Sequence, residues 1–149
     1  MARVNVKVVR NRASKLKGLS EEVIKGVKKA VRVAGTTVRN DAILSIAQGS
    51  KSGVVYRKYN PSRVHKASAA GEAPATDTGY LVSNINLVMD TDGLGCSVDS
   101  RADYSSFLEF GTSKMSARPF LQPALEQNKN SIQYQVWKAT KDALKKGDI

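Results

Sequence analysis

The chain has 149 residues, 41% of them apolar, one cysteine and a formal net charge of +11. That length and apolar content suit one domain over residues 1–149 with a modest core, and a lone Cys96 excludes an internal disulfide or a zinc site of several thiolates. The first residues lack the apolar run of a signal peptide, and nowhere do about 18 uncharged apolar residues follow one another, so the expectation is a soluble protein, intracellular when made, with no membrane partner.

Val4, Val6 and Val8 alternate with polar residues, the period-two pattern of a half-buried strand. A basic link, Arg10 to Lys17, follows. Ser20 is a candidate N-cap for a helix running to Gln48, where Gly49-Ser50 stops it, and Glu21 and Glu22 suit the positive end of its dipole. At 3.6 residues per turn Val23, Val27, Val31, Ala34 and Val38 share one face, while Lys25, Lys28, Lys29, Arg32 and Arg39 fall on the opposite one. Residues 1–66 hold 16 Lys and Arg against 3 acids, net +13, and residues 67–149 hold 8 against 10, net −2. Such asymmetry points to DNA, RNA or an acidic protein surface; the cationic face reads equally as a plain solvated one.

Val54 to Tyr56 predicts a brief strand. From Arg57 to Gly79 no helical or strand periodicity is visible, so residues 57–80 are read as an extended arm that orders against a neighbour. Leu81 to Met89 alternates, Asp90-Thr91-Asp92-Gly93 is turn chemistry, and Leu94 to Val98 completes a β-hairpin with Cys96 as a small buried hydrophobe. A short amphipathic segment with Tyr104, Phe107 and Leu108 runs into Glu109-Phe110-Gly111-Thr112, where Gly111 can take positive φ and Thr112 can satisfy freed backbone groups. Arg118-Pro119 then opens a last helix to Lys146, with Leu121, Leu125, Ile132, Val136, Ala139 and Ala143 on one stripe. The predicted class is α+β: a small antiparallel sheet packed by a long N-terminal and a long C-terminal helix, with an extended loop arm.

No constellation for catalysis emerges. His65 is the only histidine and has no matching ligand cluster. Asp77-Thr78-Gly79 matches the aspartic-protease tripeptide but lacks apolar strand flanks, and reads as a turn with Gly79 at positive φ. Asp90 and Asp92 begin like an EF-hand loop, without the glutamate at its twelfth position. Glycine-rich phosphate cradles are incomplete. Glu109 is a lone carboxylate among apolar groups, for which a structural role is expected: capping a turn, or pairing with Arg118. Neither an enzyme nor a cofactor is predicted.

Two stretches carry a family pattern. Ala67-Ser68, Gly71-Glu72-Ala73-Pro74 and Thr78-Gly79-Tyr80-Leu81, then Tyr104, Glu109-Phe110-Gly111-Thr112 and Ala117-Arg118-Pro119-Phe120-Leu121-Gln122-Pro123-Ala124, occur in an order that resembles the phage tail-component family typified by gene product ten of a lambdoid siphophage. The resemblance implies a non-catalytic virion protein, made in the bacterial host cytoplasm and placed at the head-tail interface as a neck, tail-completion or connector subunit around the DNA channel. It implies a homo-oligomeric ring, expected to be a hexamer, whose neighbours are head-completion or connector proteins and tail-tube or tail-terminator proteins, with non-specific contact to phage DNA. Expected interface residues are His65, Ser68, Gly71, Glu72 and Pro74 in the arm, and Glu109, Phe110, Gly111, Thr112, Met115, Arg118, Pro119 and Phe120 in the joint, with Phe110, Met115 and Phe120 presented outward. The alternatives are a tail terminator capping the tube and a basic nucleic-acid-binding protein.

Overall fold

The computed structural model describes residues 2–7 and 21–147. In chain order its elements are β1 (Ala2–Lys7), α1 (Glu21–Gln48), β2 (Val55–Tyr59), β3 (Ser62–Lys66), α2 (Tyr80–Ser83), β4 (Ile85–Met89), β5 (Gly95–Ser100), α3 (Ser105–Phe110) and α4 (Leu121–Gly147). The α+β class, the antiparallel sheet and the two long helices are as the sequence predicts. Val8, the link from Arg10 to Lys17 and the Ser20 cap lie outside the described residues.

Three strands form the main sheet in the order β1-β5-β4, all antiparallel, with Val4 opposite Val98 and Leu87 opposite Val98 on the other side. The β4–β5 turn works as its residues suggest: Gly93 takes φ 70°, its N–H donates to the Asp90 carbonyl at 2.9 Å, and Leu94 N–H donates to the Asp92 carboxylate at 2.8 Å. The central strand β5 is buried along its whole length, Cys96 included. Its alternate residues Cys96 and Val98 belong to the core beneath α1.

α1 lies on this sheet through the predicted apolar face, extended by Ala30, Gly35, Ala42 and Ile46. Glycine at position 35 sets how close it comes. A Cβ there would stand 2.5 Å from Leu87 Cδ1 and 2.6 Å from Cys96 Sγ, inside van der Waals contact. Burial holds the Cys96 thiol up at about 11, with the Asp90 charge adding to it, so this sulfur is packing material rather than a nucleophile. α4 packs against α1, with Gly26 facing the Ala139 carbonyl and Ala143, and Asn128 Nδ2 donates to Asp41 at 2.6 Å between the two helices. The start of α4 is buried through Phe120, Leu121 and Ala124, whereas its predicted stripe from Leu125 to Ala143 is only half-buried.

Two sequence expectations change here. The arm is not irregular throughout: Val55–Tyr59 and Ser62–Lys66 pair as a separate two-stranded hairpin, with a cis Asn60-Pro61 bond at its turn. Its pattern was hidden because no core among the described residues covers it, so apolar and basic residues share its faces and no clean alternation results. The strand expected from Leu81 starts only at Ile85, because Tyr80–Ser83 form a helical turn after Gly79 at φ 78°. Ser83 Oγ and Asn84 Nδ2 both donate to the Tyr80 carbonyl, at 3.0 and 2.8 Å, a local bonding that competes with extension, while Leu81 turns into the core.

Candidate interface and its supporting joint

The joint between α3 and α4 is organised by a buried carboxylate. Glu109 accepts hydrogen bonds from the N–H groups of Phe120, at 2.9 Å, Leu121, at 3.0 Å, and Gln122, at 2.8 Å. It thereby satisfies donors that the first turn of a helix leaves without intrahelical partners, and it puts negative charge at the positive end of the α4 dipole. This is the capping role foreseen for Glu109, fulfilled on a helix eleven residues away in sequence. The alternative pairing with Arg118 does not form among the described residues.

Gly111 ends α3 at φ 74°, ψ −177°, a combination open to glycine alone. A Cβ at this position would meet the Met115 carbonyl at 2.8 Å and Ala117 N at 2.9 Å. Thr112 closes the next turn, its hydroxyl accepting from Lys114 and Met115 N–H at 3.2 and 3.1 Å, and Arg118 N–H returns to the Leu108 carbonyl at 2.7 Å. Pro119 precedes α4, and Pro123 sits in its first turn, where its missing N–H costs nothing. Phe120 corrects an expectation. It is only 1% exposed and fills the core, so it is not presented outward, whereas Phe110 is 69% exposed and Met115 half-buried.

The arm's motif residues are likewise engaged within the chain. The Glu72 carboxylate accepts from Ser52 N–H at 2.9 Å, from the Ser52 hydroxyl and from Ala69 N–H at 2.8 Å, and these bonds, the hydroxyl first, hold its pKa down at about 2. Lys51 donates to the Ser45 and Ala73 carbonyls at 3.0 and 2.7 Å, and its pKa is lowered by burial against the opposing charge of Glu72. Gly71, at φ 81°, donates its N–H to the Ala117 carbonyl at 2.9 Å, joining arm to joint. Ser68 and Pro74 are buried. Asp77 is held between Lys58 and Arg63 of the hairpin, and the lysine bond is the main cause of its lowered pKa. The turn reading of Asp77-Thr78-Gly79 therefore stands.

His65, Ser68, Pro74 and Arg118 come together along a cleft of 340 Å³ between the hairpin and the start of α3, with Tyr56, Tyr80 and Tyr104 as further walls. The cationic helix face is not brought to this place and is less uniform than its helical projection suggests. Lys25 and Lys29 border a groove with Glu21, Glu22 and Asp142, the Lys28 stem lies along Gly93, and Arg32 points to solvent. Arg39 leaves the set, because its Nε donates to the Ile85 carbonyl at 2.8 Å and ties α1 to β4.

Three exposed apolar groups stand out, and of their members only Phe110 was singled out by sequence as facing outward. On the hairpin, Val55, Tyr59 and Val64 are uncovered, Tyr59 by 81% and Val64 by 66%. On α3, Phe107 stands beside Phe110. On the outer side of α4, Tyr134, Trp137 and Leu144 are exposed, the two rings 6.0 Å apart and the Lys141 ammonium 4.7 Å above the indole. The α4 signal was legible as a second apolar row, at 134, 137 and 144, off the core stripe; the hairpin signal was not, because it depends on knowing that nothing packs there. Among the described residues no cluster of three metal-ligating side chains occurs, and no helix is long and apolar enough to cross a membrane.

No curated protein and no solved structure matches the chain significantly. A sequence profile of the HK97-gp10-like family, described as "Bacteriophage HK97-gp10, putative tail-component", matches residues 12–111, two thirds of the chain, including the arm motifs and ending at Glu109-Phe110-Gly111. The chain belongs to this phage tail-component family.

Proposed function

We propose that this chain, as one domain over residues 1–149, is the ring-forming subunit of a neck, connector or tail-completion layer at the head-tail junction. Membership of the family makes it a structural, tail-related protein of a bacteriophage; the junction, the ring and its neighbours are the reading advanced here. The observation that carries it is the β2–β3 hairpin. A two-stranded ribbon alone is marginally stable in water, and this one leaves Val55, Tyr59 and Val64 facing solvent beside Arg57 and Lys66. Such a surface suits a heterologous contact, in which the hairpin of one subunit lies on a different face of the next and repetition closes a ring. The role is mechanical, with the joint at Glu109 holding α4 at a set angle to the sheet. Rotational classification of particle images of the purified protein tests it: closed rings, six-fold by family resemblance, support the reading. A monodisperse monomer that also fails to join the neck or tail proteins of its phage overturns it.

A second reading rests on the exposure of Lys25, Lys28, Lys29 and Arg32. A DNA-binding role for these residues requires binding by the isolated protein that falls steeply with salt. Negligible affinity for a DNA duplex at about 50 mM salt removes it.

A further inference from the structure

The cleft between the hairpin and α3 contains a cation with no counterpart among the described residues. Arg118 lines it; its Nε is shut off from solvent without a hydrogen-bond acceptor, and its guanidinium makes no ion pair among the described residues. The carboxylates nearby are already engaged. Asp77 is bound by Lys58 and Arg63, and Glu109 is occupied by three N–H groups of the α4 start. A guanidinium N–H withdrawn from water and left unpaired is unfavourable, and an incoming acceptor would remove that cost.

The walls specify the acceptor. Tyr56 and His65 stand on the hairpin side, and Tyr80 and Tyr104 on the other, their rings 6.2 Å apart and tilted by 36°. Burial and the neighbouring Tyr80 raise the Tyr104 pKa, in keeping with a partly dried wall that keeps its hydroxyl protonated as a donor. A space of 340 Å³ takes one side chain and a short stretch of backbone, not a folded surface. A polyanionic nucleic-acid backbone fits poorly, since the Asp77 carboxylate lines the same cleft and already holds the side chains of Lys58 and Arg63.

We propose that this cleft is a socket for the carboxylate of an Asp or Glu side chain on an extended segment of a partner protein, with Arg118 as its bidentate donor. The planar guanidinium matches a carboxylate through two parallel N–H donors, and the tyrosines exclude water and stack on the segment that carries it. The socket acts on an isolated subunit, so it does not depend on ring formation.

The test is a titration of the full-length ¹⁵N-labelled protein with acetyl-Gly-Glu-Gly-amide, its Gln counterpart and a short oligothymidylate, read by NMR. The Glu peptide is expected to shift the Arg118 Nε–H resonance and the Tyr80 and Tyr104 amides saturably, with the Gln peptide at least about tenfold weaker. Arg118→Lys, which keeps the charge and loses the fork, is expected to weaken the Glu response, and Arg118→Gln to abolish it. Tyr80→Ala, at an exposed position, provides the same readout where Arg118 variants fail to fold. Equal responses to the Glu and Gln peptides, a response to oligothymidylate alone, or undiminished binding by Arg118→Gln or Tyr80→Ala would overturn the proposal.

Discussion

The joint around Glu109 and the β2–β3 hairpin lie close together and handle their side chains in opposite ways. In the joint, polar groups are turned inward and spent on the chain's own backbone: one carboxylate serves three N–H groups, and a threonine hydroxyl serves two. In the hairpin, apolar groups are turned outward and spent on nothing among the described residues, with Tyr59 and Val64 uncovered. The difference separates two duties. Directional bonds determine an angle and need no partner; exposed apolar area is favourable only when something covers it. The joint is therefore expected to govern the stability of the subunit, and the hairpin its association.

Four changes can break or sharpen that division. Removing the cap should have the largest effect: Glu109→Ala leaves three N–H groups at a buried helix start without acceptors, and is expected to lower the unfolding free energy by about 3 kcal/mol in chemical denaturation. Gly111→Ala comes next, at about 2 kcal/mol, because its backbone conformation excludes a Cβ and the Met115 carbonyl stands in the way. Normal stability in both variants would show that the joint is tolerant and the division mistaken.

Acid should act on the arm clamp. The folded pKa of Glu72 lies below its ordinary value, so its contribution is complete above about pH 4.5 and is lost as pH falls toward about 2. Amide exchange at Ser52 and Ala69 is expected to accelerate across that window in the native chain, and to be fast and flat with pH once corrected for intrinsic exchange in Glu72→Gln. A clamp that stays protected at pH 2 would place its stability elsewhere. The smallest effect on folding belongs to the hairpin: Tyr59→Ser with Val64→Ser should change stability by no more than about 0.5 kcal/mol. Assembly should be lost in the same variant when particle images are classified. Retained rings would move the subunit contact to another face, with the Tyr134, Trp137 and Leu144 row as the next surface to test.

The two long helices, the β4–β5 turn and the breaks at Gly79 and Gly111 were legible because each rests on local rules: periodicity, dipole, and the backbone freedom of glycine. The same rules misread Leu81–Met89, where alternation continues through residues that bond back on themselves as a helical turn. Of the candidate interface residues expected to face outward, Phe120 was assigned the wrong side. Phe120 and Phe110 are both phenylalanines in motif positions, and only packing shows that one is core and the other surface.

By itself, then, the sequence determined which stretches are regular, where they stop, that the positive charge lies in the first half, and which phage family the chain belongs to. Tertiary structure alone decided that Glu109 caps α4, that Arg39 is tied to β4, and that, among the described residues, Arg118 is left without an acid and a hairpin stands uncovered. The physical reason is range. Periodicity and turn chemistry act between residues a few positions apart, whereas pairing and exposure depend on which distant segments come to share the same space, and on which surfaces none of them reaches.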